Sequence, residues 1–316
     1  MPFEILSDAA ALPAILEDEW WDLWDRDPAA TPFQSPAWLV PWRRHFSEGR
    51  SAVLTWRQGG RLVGLLPLFE HEGRYLPWGA GTSDRLDGLF DPLIETAEIS
   101  RAIAALPLPL DLFQLSAHSP LLDVPAPPEW QDQRAAAEPC AVLALPARPE
   151  KKMAENLRYY RRRAKRAGAG EPQRVDDPDI DALAALHMRR WRLRDKPGIF
   201  ADRRMLVWLR EALPALQKRG LLRFHAIAIG SRIAAALSVL AAKRRAYDYI
   251  GGFDPDCASL GLGTILVGHA ICEAEEEGDL SFDFLRGGEP YKYRWGAVDE
   301  PTYARRLTPL RQVAAA

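Results

Sequence analysis

The period of the hydrophobic positions changes along the chain, and each change marks an expected element. Leu222 to Ile229 and Ile233 to Ala242 are apolar blocks flanking Gly230-Ser231, which predicts a β-hairpin. Tyr247-Asp248-Tyr249-Ile250-Gly251-Gly252-Phe253 reads as a further strand that ends at glycines. From Thr264 to Glu277 the period becomes helical, with Ile265, Leu266, His269, Ile271 and Cys272 at helix spacing. Gly278 is a stop signal for that helix. Ser281 to Leu285 then reads as a short strand, Glu289 to Trp295 as a short helix, and Thr302 to Thr308 as a final strand. The expected fold class is therefore α/β, with mixed sheets.

The pattern occurs twice. Gly60-Arg61-Leu62-Val63-Gly64-Leu65-Leu66 parallels Ser231-Arg232-Ile233-Ala234-Ala235-Ala236-Leu237, and Gly88-Leu89-Phe90-Asp91-Pro92 parallels Gly251-Gly252-Phe253-Asp254-Pro255. Asp111 to Leu115 parallels Ser281 to Leu285, and Trp24 and Phe33 sit at the same separation as Trp191 and Phe200. The offsets stay near 163–171 residues, in one order, which predicts two domains in tandem from an internal duplication. The expected domains are 1–148, a basic connecting helix within 149–170, and 171–316.

Between the expected strand and helix lies Ser259-Leu260-Gly261-Leu262-Gly263-Thr264. Small residues there let the backbone approach a ligand closely, and the free N–H groups of the following helix favour an anion. No Lys follows Gly263, which excludes a Walker loop, and only two glycines of a dinucleotide fingerprint are present. The segment from Ala258 to Gly263 resembles the acyl-CoA loop of GNAT acetyltransferases, Gln/Arg-x-x-Gly-x-Gly/Ala, with Ala258 at the position usually held by Gln or Arg. Pro92 to Glu98, the matching stretch of the first half, has no glycine pair, so only the second half is expected to keep the cradle.

Three further segments carry a narrower resemblance: Thr31 to Trp38, His187-Met188-Arg189-Arg190-Trp191, and above all Phe282 to Gly296. Together they resemble the CelD-like branch of the GNAT superfamily, acetyltransferases associated with bacterial polysaccharide biosynthesis. That branch is itself similar to the Fem-type aminoacyl transferases, which are built on paired GNAT domains. The resemblance implies an N-acyltransferase with acetyl-CoA or another acyl-CoA as donor and an amine acceptor, such as an amino sugar or glycan, in the groove between domains. An aminoacyl-tRNA donor and a non-catalytic binding module remain the alternatives. Ser259, Leu260, Gly261, Leu262, Gly263 and Thr264, with Ile250 and Gly251 of the preceding strand, are the expected donor-binding residues. In such a site a backbone N–H of that strand holds the developing oxyanion.

Composition narrows this little further. The chain has 316 residues, 47% of them hydrophobic, enough for two cores. The net charge of −2 gives no reason for global attraction to nucleic acid or to anionic membranes, so tRNA enters only with the alternative donor. Against that stands Lys151 to Arg166, a basic stretch interleaved with Tyr159 and Tyr160; it is expected either as a solvated helix or as an anion-binding surface. Cys140, Cys257 and Cys272 are widely separated, which fits no metal spacing and suggests a reducing compartment. The first residues lack the pattern of a signal peptide, and no run of about twenty apolar residues occurs, so a cytoplasmic protein is expected. Two domains already form the pair, so a monomer is expected.

Amine acylation needs a base and, for the leaving thiolate, an acid. Tyr291 and Tyr293 fall where many GNAT enzymes carry that acid, with Tyr291 preferred; a stacked aromatic layer with Trp295 is the structural alternative. Asp283, Glu289, Asp248 and His187 are the candidate bases. Asp283 alternates with Phe282 and Phe284 on a strand and has Arg286 or Lys292 as salt-bridge alternatives, and Glu289 is well placed simply to cap a helix. His187 and Trp191 on an amphipathic helix, Lys292, and Asp84 of the polar cluster Ser83 to Asp87 complete the candidates for acceptor binding. No metal is expected.

Overall fold

The computed structural model describes residues 2–7, 12–46, 48–193 and 195–310. The chain divides into two compact units, Met1–Pro139 with Pro301–Ala316, and Cys140–Glu300. Among the described residues no helix is long and apolar enough to cross a membrane.

In the first unit the strands are β1 (Phe3–Leu6), β2 (Ser51–Gln58), β3 (Arg61–His71), β4 (Arg74–Pro77), β5 (Leu89–Phe90), β6 (Leu110–Ser116) and residues 130–139 of β7 (Trp130–Ala144). Its helices are α1 (Leu12–Arg26), α2 (Pro36–Phe46), α3 (Thr96–Ala104) and α4 (Pro120–Asp123). β1, β2, β3 and β4 pair antiparallel in order, and β4 meets β6 in a parallel contact at Tyr75 and Leu110. Its core gathers Leu54, Trp56, Leu66, Leu68, Ile99, Ile103, Leu110 and Leu115.

The second unit holds residues 140–144 of β7, then α5 (Lys151–Arg166), β8 (Gln173–Arg174), α6 (Ile180–Arg192), α7 (Arg203–Lys218), β9 (Leu222–Ile229), β10 (Arg232–Ala242) and β11 (Arg245–Phe253). After these come α8 (Leu262–Glu276), β12 (Ser281–Arg286) and α9 (Pro290–Arg294). The strand order is β7-β12-β11-β10-β9-β8. Gly230 turns the β9–β10 hairpin with φ of 60°, a left-handed value that suits a residue without Cβ. α8 ends as its glycine predicts: Gly278 has φ of 81°, and the Asp279 N–H reaches back to the Ala274 carbonyl. α5 places Met153, Leu157, Tyr160 and Ala164 on one stripe in the core shared with α8, while Arg158, Arg161, Arg162 and Arg163 stay exposed.

Two ion pairs carry the internal repeat into three dimensions. Arg26 at the end of α1 bonds Asp91, and Arg189 on α6 bonds Asp254 at 3.0 Å. Both arginines and both aspartates are 163 residues apart. The strands after them also share an unusual backbone. Gln114 in β6 has φ of 54° and Leu285 in β12 has φ of 61°, each a non-glycine residue in the left-handed region.

The last strand, β13 (Val298–Pro309), departs from the simple repeat. The sequence places a final strand at the end of the second half, but its residues from 301 onward cluster with the first unit, where Thr302 to Leu307 pair antiparallel with β6. Side chains account for the placement. The buried Thr302 hydroxyl bonds Gln114 Oε1 at 3.1 Å and the Glu138 carbonyl at 2.8 Å, and Leu307 is fully buried in the first core. Arg305, also buried, donates from Nε and Nη2 to Asp132 at 2.9 Å each and from Nη1 to the Leu121 carbonyl.

Removing one partner of a buried ion pair leaves the other charge uncompensated. Asp132→Ala is expected to destabilise the chain toward the lower end of roughly 3–5 kcal/mol, because Asp132 itself is partly solvated. Urea unfolding of the variant against the parent measures this; an unchanged midpoint would show that β13 is held by its backbone pairing alone.

Candidate functional site

β11 and β12 run parallel for only three residue pairs, Arg245 with Ser281, Ala246 with Phe282 and Tyr247 with Asp283. Beyond them β11 stays with β10 as far as Phe253, while β12 follows β7 to Arg286. The two strands therefore separate at their C-terminal ends. At the start of the separation Val239 faces Asp248 and Ser238 faces Ile250, so Tyr249 is the extra residue of a β-bulge, which bends β11 and frees its backbone from the ladder.

The chain leaves β11 through Asp254, whose fully buried carboxylate caps the 3-10 turn Pro255–Leu260 and is held by Arg189 and Arg232. Gly261 follows with φ of 66° and is the N-cap of α8. A Cβ on Gly261 would lie 2.4 Å from the Tyr160 ring. The first N–H groups of α8, on Leu262, Gly263 and Thr264, have no intrahelical acceptor. Among the described residues no side chain caps this end, and no acidic residue lies in its first turn. The amide dipoles thus present a net positive end to whatever lies before Gly263.

A pocket of about 310 Å³ opens there, lined by Gly251, Gly252 and Phe253 of β11, Gly263, Thr264, Leu266 and Val267 of α8, and Ala236 and Leu237 of β10. Met153, Arg190, Asp248, Tyr291 and Trp295 complete its wall. Glycine is required on β11, since a Cβ on Gly252 would come within 2.6 Å of the His187 backbone nitrogen. Most of the wall is apolar, and its polar side chains are few. Burial pushes the Asp248 carboxyl up to about 7, against the opposing pull of Lys292 and Arg190. Burial, and then the nearby Asp248, also raise the Tyr291 hydroxyl well above its ordinary value, so it stays protonated. Arg190 lies over the Phe253 ring, its Cζ 5.1 Å from the centroid.

The other expected site residues fall outside this pocket lining. Asp283 is fully buried and accepts from the Leu285 N–H at 2.8 Å, with Arg245 at 3.7 Å from its other oxygen. Lys292 is buried too. Its ammonium bonds the carbonyls of Leu285, Arg286 and Gly287 at 3.3, 2.6 and 2.9 Å, and Glu289 Oε2 at 2.9 Å. Glu289 occupies the N-cap position of α9, as its place in the sequence suggests, but its carboxylate makes no capping hydrogen bond and turns to Lys292. Burial opposes ionisation of Glu289, but the Lys292 ammonium wins and holds its carboxyl below the usual range. His187 Nε2 accepts from the Trp191 indole at 2.8 Å, with Phe200 against its ring, and burial lowers its pKa to about 4. Tyr293 donates to Asp299 at 2.8 Å. Asp84 lies in the first unit, beside Ser83, whose hydroxyl accepts from the Trp38 indole.

The donor residues expected from the loop fare differently. Gly251, Gly263 and Thr264 line the pocket, and Gly261 and Leu262 form the helix start, whereas Ser259 and Leu260 belong to the preceding turn and the Ile250 side chain is buried. Arg190 and Met153 were not singled out from the sequence, where nothing separates them from their neighbours on amphipathic helices.

The first unit has a smaller pocket of about 190 Å³, lined by Asp27, Gln34, Arg85, Asp87, Gln114 and Ser119 among others, with burial raising Asp87 to about 7. It lacks the glycine loop. α3, the helix after β5, starts at Glu95 with Glu98 in its first turn, and those carboxylates oppose an anion at that end.

Residues 151–293 match the family model described as acetyltransferase (GNAT) domain. No curated protein matches the chain. Among solved structures the chain is similar to FemX, with 10% identity, a TM-score of 0.66, and coverage of 99% of this chain and 98% of that one. It is similar to the C-terminal domain of a putative lysylphosphatidylglycerol synthetase from Agrobacterium fabrum, with 13% identity, a TM-score of 0.62, and coverage of 93% and 91%. L-PGS from Bacillus licheniformis aligns with 11% identity, a TM-score of 0.61, and coverage of 93% and 91%. At such identities the likeness is one of fold, and it spans both units.

The cradle yields a stability contrast between two left-handed glycines. Gly261→Ala should cost about 1–2 kcal/mol for the left-handed backbone and, in addition, the displacement of the Tyr160 ring that its Cβ would overlap. Gly278→Ala, at φ of 81° with nothing within 4 Å of a new Cβ, should bear the conformational cost alone. Chemical denaturation of both reads the difference; equal losses would mean that Tyr160 does not pack on the loop in solution.

Proposed function

We propose that the protein is an N-acyltransferase that moves a short acyl group from acyl-CoA to an amine. The single observation that carries this reading is the junction of an uncapped helix N-terminus with a pocket containing Asp248 and Tyr291. In the proposed reaction the diphosphate of the coenzyme rests on the amides of Leu262, Gly263 and Thr264. The thioester enters between the separated ends of β11 and β12, and a backbone N–H near the Tyr249 bulge steadies the developing oxyanion. A pocket of about 310 Å³ is at the small end of ligand sites, which favours acetyl or another short chain over a long one.

Asp248 is the proposed base in place of Asp283 and Glu289, which are committed to Leu285 and Lys292. A base titrating near neutral pH has the strongest combined advantage of correct charge state and proton affinity. Tyr291 is the proposed partner of the leaving sulfur. An ordinary thiol titrates at about 8.5, below even an unperturbed tyrosine, so full proton transfer to a thiolate would be uphill. Tyr291 therefore serves as a hydrogen-bond donor to sulfur. We propose the acceptor to be an amino sugar of the kind implied by the CelD-like resemblance, with Arg190 on the pocket wall to meet an acidic or phosphorylated portion of it.

A tRNA-borne aminoacyl group is the second reading, and the exposed arginines of α5, the helix packed against α8, favour it. Thermal unfolding with CoA and acyl-CoAs separates the two. A ligand at one hundred times its Kd adds about 2.7 kcal/mol, and Tm is expected to rise by a few degrees. Gly261→Trp should abolish the rise. No rise with any acyl-CoA, together with retention of RNA through purification, would move the assignment to the tRNA donor.

Asp248 generates a prediction with two opposite signs. Activity should increase as pH rises through about 7, and Asp248→Asn should lose roughly 10²–10⁴-fold in kcat together with that limb. Stability should move the other way. A carboxyl raised from 3.8 to about 7 binds its proton more tightly when folded, so the native state loses stability as pH rises between those values. Asn does not ionise, and the variant should melt above the parent at pH 8. A variant with parental activity and pH profile would remove Asp248 from the reaction.

A further inference from the structure

His269 and Glu273 are four residues apart on α8, so they share one face of the helix. His225 on β9 meets that face: its ring lies 5.3 Å from that of His269, and its Nδ1 is 3.3 Å from Glu273 Oε2. One ligand atom from each of the three lies within 4.8 Å of the others. His225 is fully buried, yet neither of its ring nitrogens, nor Glu273 Oε2, has a hydrogen-bond partner among the described residues. Polar atoms buried without partners are costly and uncommon.

We propose that His225, His269 and Glu273 bind a zinc-type transition-metal dication that fastens β9 to α8. With metal–ligand bonds of about 2.0–2.2 Å, the edge of a tetrahedral site is about 3.3–3.5 Å, which matches the separation of His225 and Glu273. A modest turn of the partly exposed His269 ring brings in the third ligand, and water takes the fourth position. Two imidazoles and one carboxylate suit zinc rather than magnesium or calcium, which prefer oxygen. Arg174 bonds the other carboxylate oxygen of Glu273 at 3.2 Å and fixes its orientation. The charges around the site leave room for a dication: Arg174 and Arg223 face Glu273, Glu277 and Asp279, so carboxylates outnumber guanidiniums. None of the three ligands lines the 310 Å³ pocket, so the metal's role is to anchor the helix whose N-terminus forms the cradle.

The test uses the full chain, stripped with chelator, reloaded with Zn(II) and desalted. Metal content by mass spectrometry should approach one zinc per chain, Tm should rise on loading, and chelator should reverse the rise. Co(II) should give the visible absorption of a tetrahedral site. His225→Ala risks the fold because the residue is buried, so the deciding variant is His269→Gln, which should fold and lose both the zinc and the Tm response. Cys272→Ala should keep both, since the thiol is not a ligand. Equal zinc in the parent and His269→Gln, loss of zinc in Cys272→Ala, or a parental Tm indifferent to zinc would each overturn the proposal. Because none of these readouts involves CoA or turnover, they stand or fall apart from the acyl-transfer reading.

Discussion

Two parallel strands that part company after three residue pairs leave backbone groups that must be satisfied elsewhere, and the second unit is organised around that requirement. On the β12 side, Asp283 takes the Leu285 N–H and Lys292 takes three successive carbonyls, so the strand end is held in its left-handed turn. The buried Lys292 ammonium tolerates its burial because its protons are spread over three carbonyls and the Glu289 carboxylate. On the β11 side, the bulge at Tyr249 and the glycines after it bend the strand toward α8. The notch is thereby built from the ends of two strands of the sheet.

The same geometry sets the electrostatics of the pocket. Asp248 sits where the strands have separated, among apolar residues of β10 and α8, so its charge is poorly solvated and its pKa approaches neutrality. Asp254, only six residues on, is also sequestered from water yet stays ionised, because Arg189, Arg232 and the Asp256 N–H surround it. One aspartate is held as a structural anion, and the other lines the pocket with its carboxyl raised toward neutrality. At Asp254 the Asp256 N–H and the two guanidiniums outweigh desolvation, whereas at Asp248 the charges of Lys292 and Arg190 do not.

The internal repeat explains which parts of the fold are shared and which are specialised. The arginine–aspartate pair, the left-handed residue at the end of the strand and a pocket beside it recur in both units. The helix start does not: α8 begins at a left-handed glycine with bare amides, whereas α3 begins among carboxylates. A change of a few residues at one helix end is enough to convert an anion-attracting terminus into a repelling one, because the effect of the helix dipole is confined to its first turn.

Several features were legible in the sequence because they depend on residues close together in it. The β9–β10 hairpin, α8 with its glycine stop, the basic amphipathic α5 and the helix start at the left-handed Gly261 all follow from local period and backbone freedom. Asp283, Glu289 and Lys292 also looked reactive from sequence, since carboxylates and a lysine beside glycines suggest an open site. Only the folded chain shows that Lys292 is consumed by the loop before it and that Asp248, one candidate among four, is the carboxylate left facing the pocket. The pairing of β13 with β6, and the meeting of His225 with His269 and Glu273, join residues far apart along the chain. Backbone conformation is decided largely by neighbours in the sequence, so the sequence determined the elements and the cradle. The charge and availability of a side chain depend on which distant segments bury it, so the tertiary structure alone decided which of these residues remain free to do chemistry.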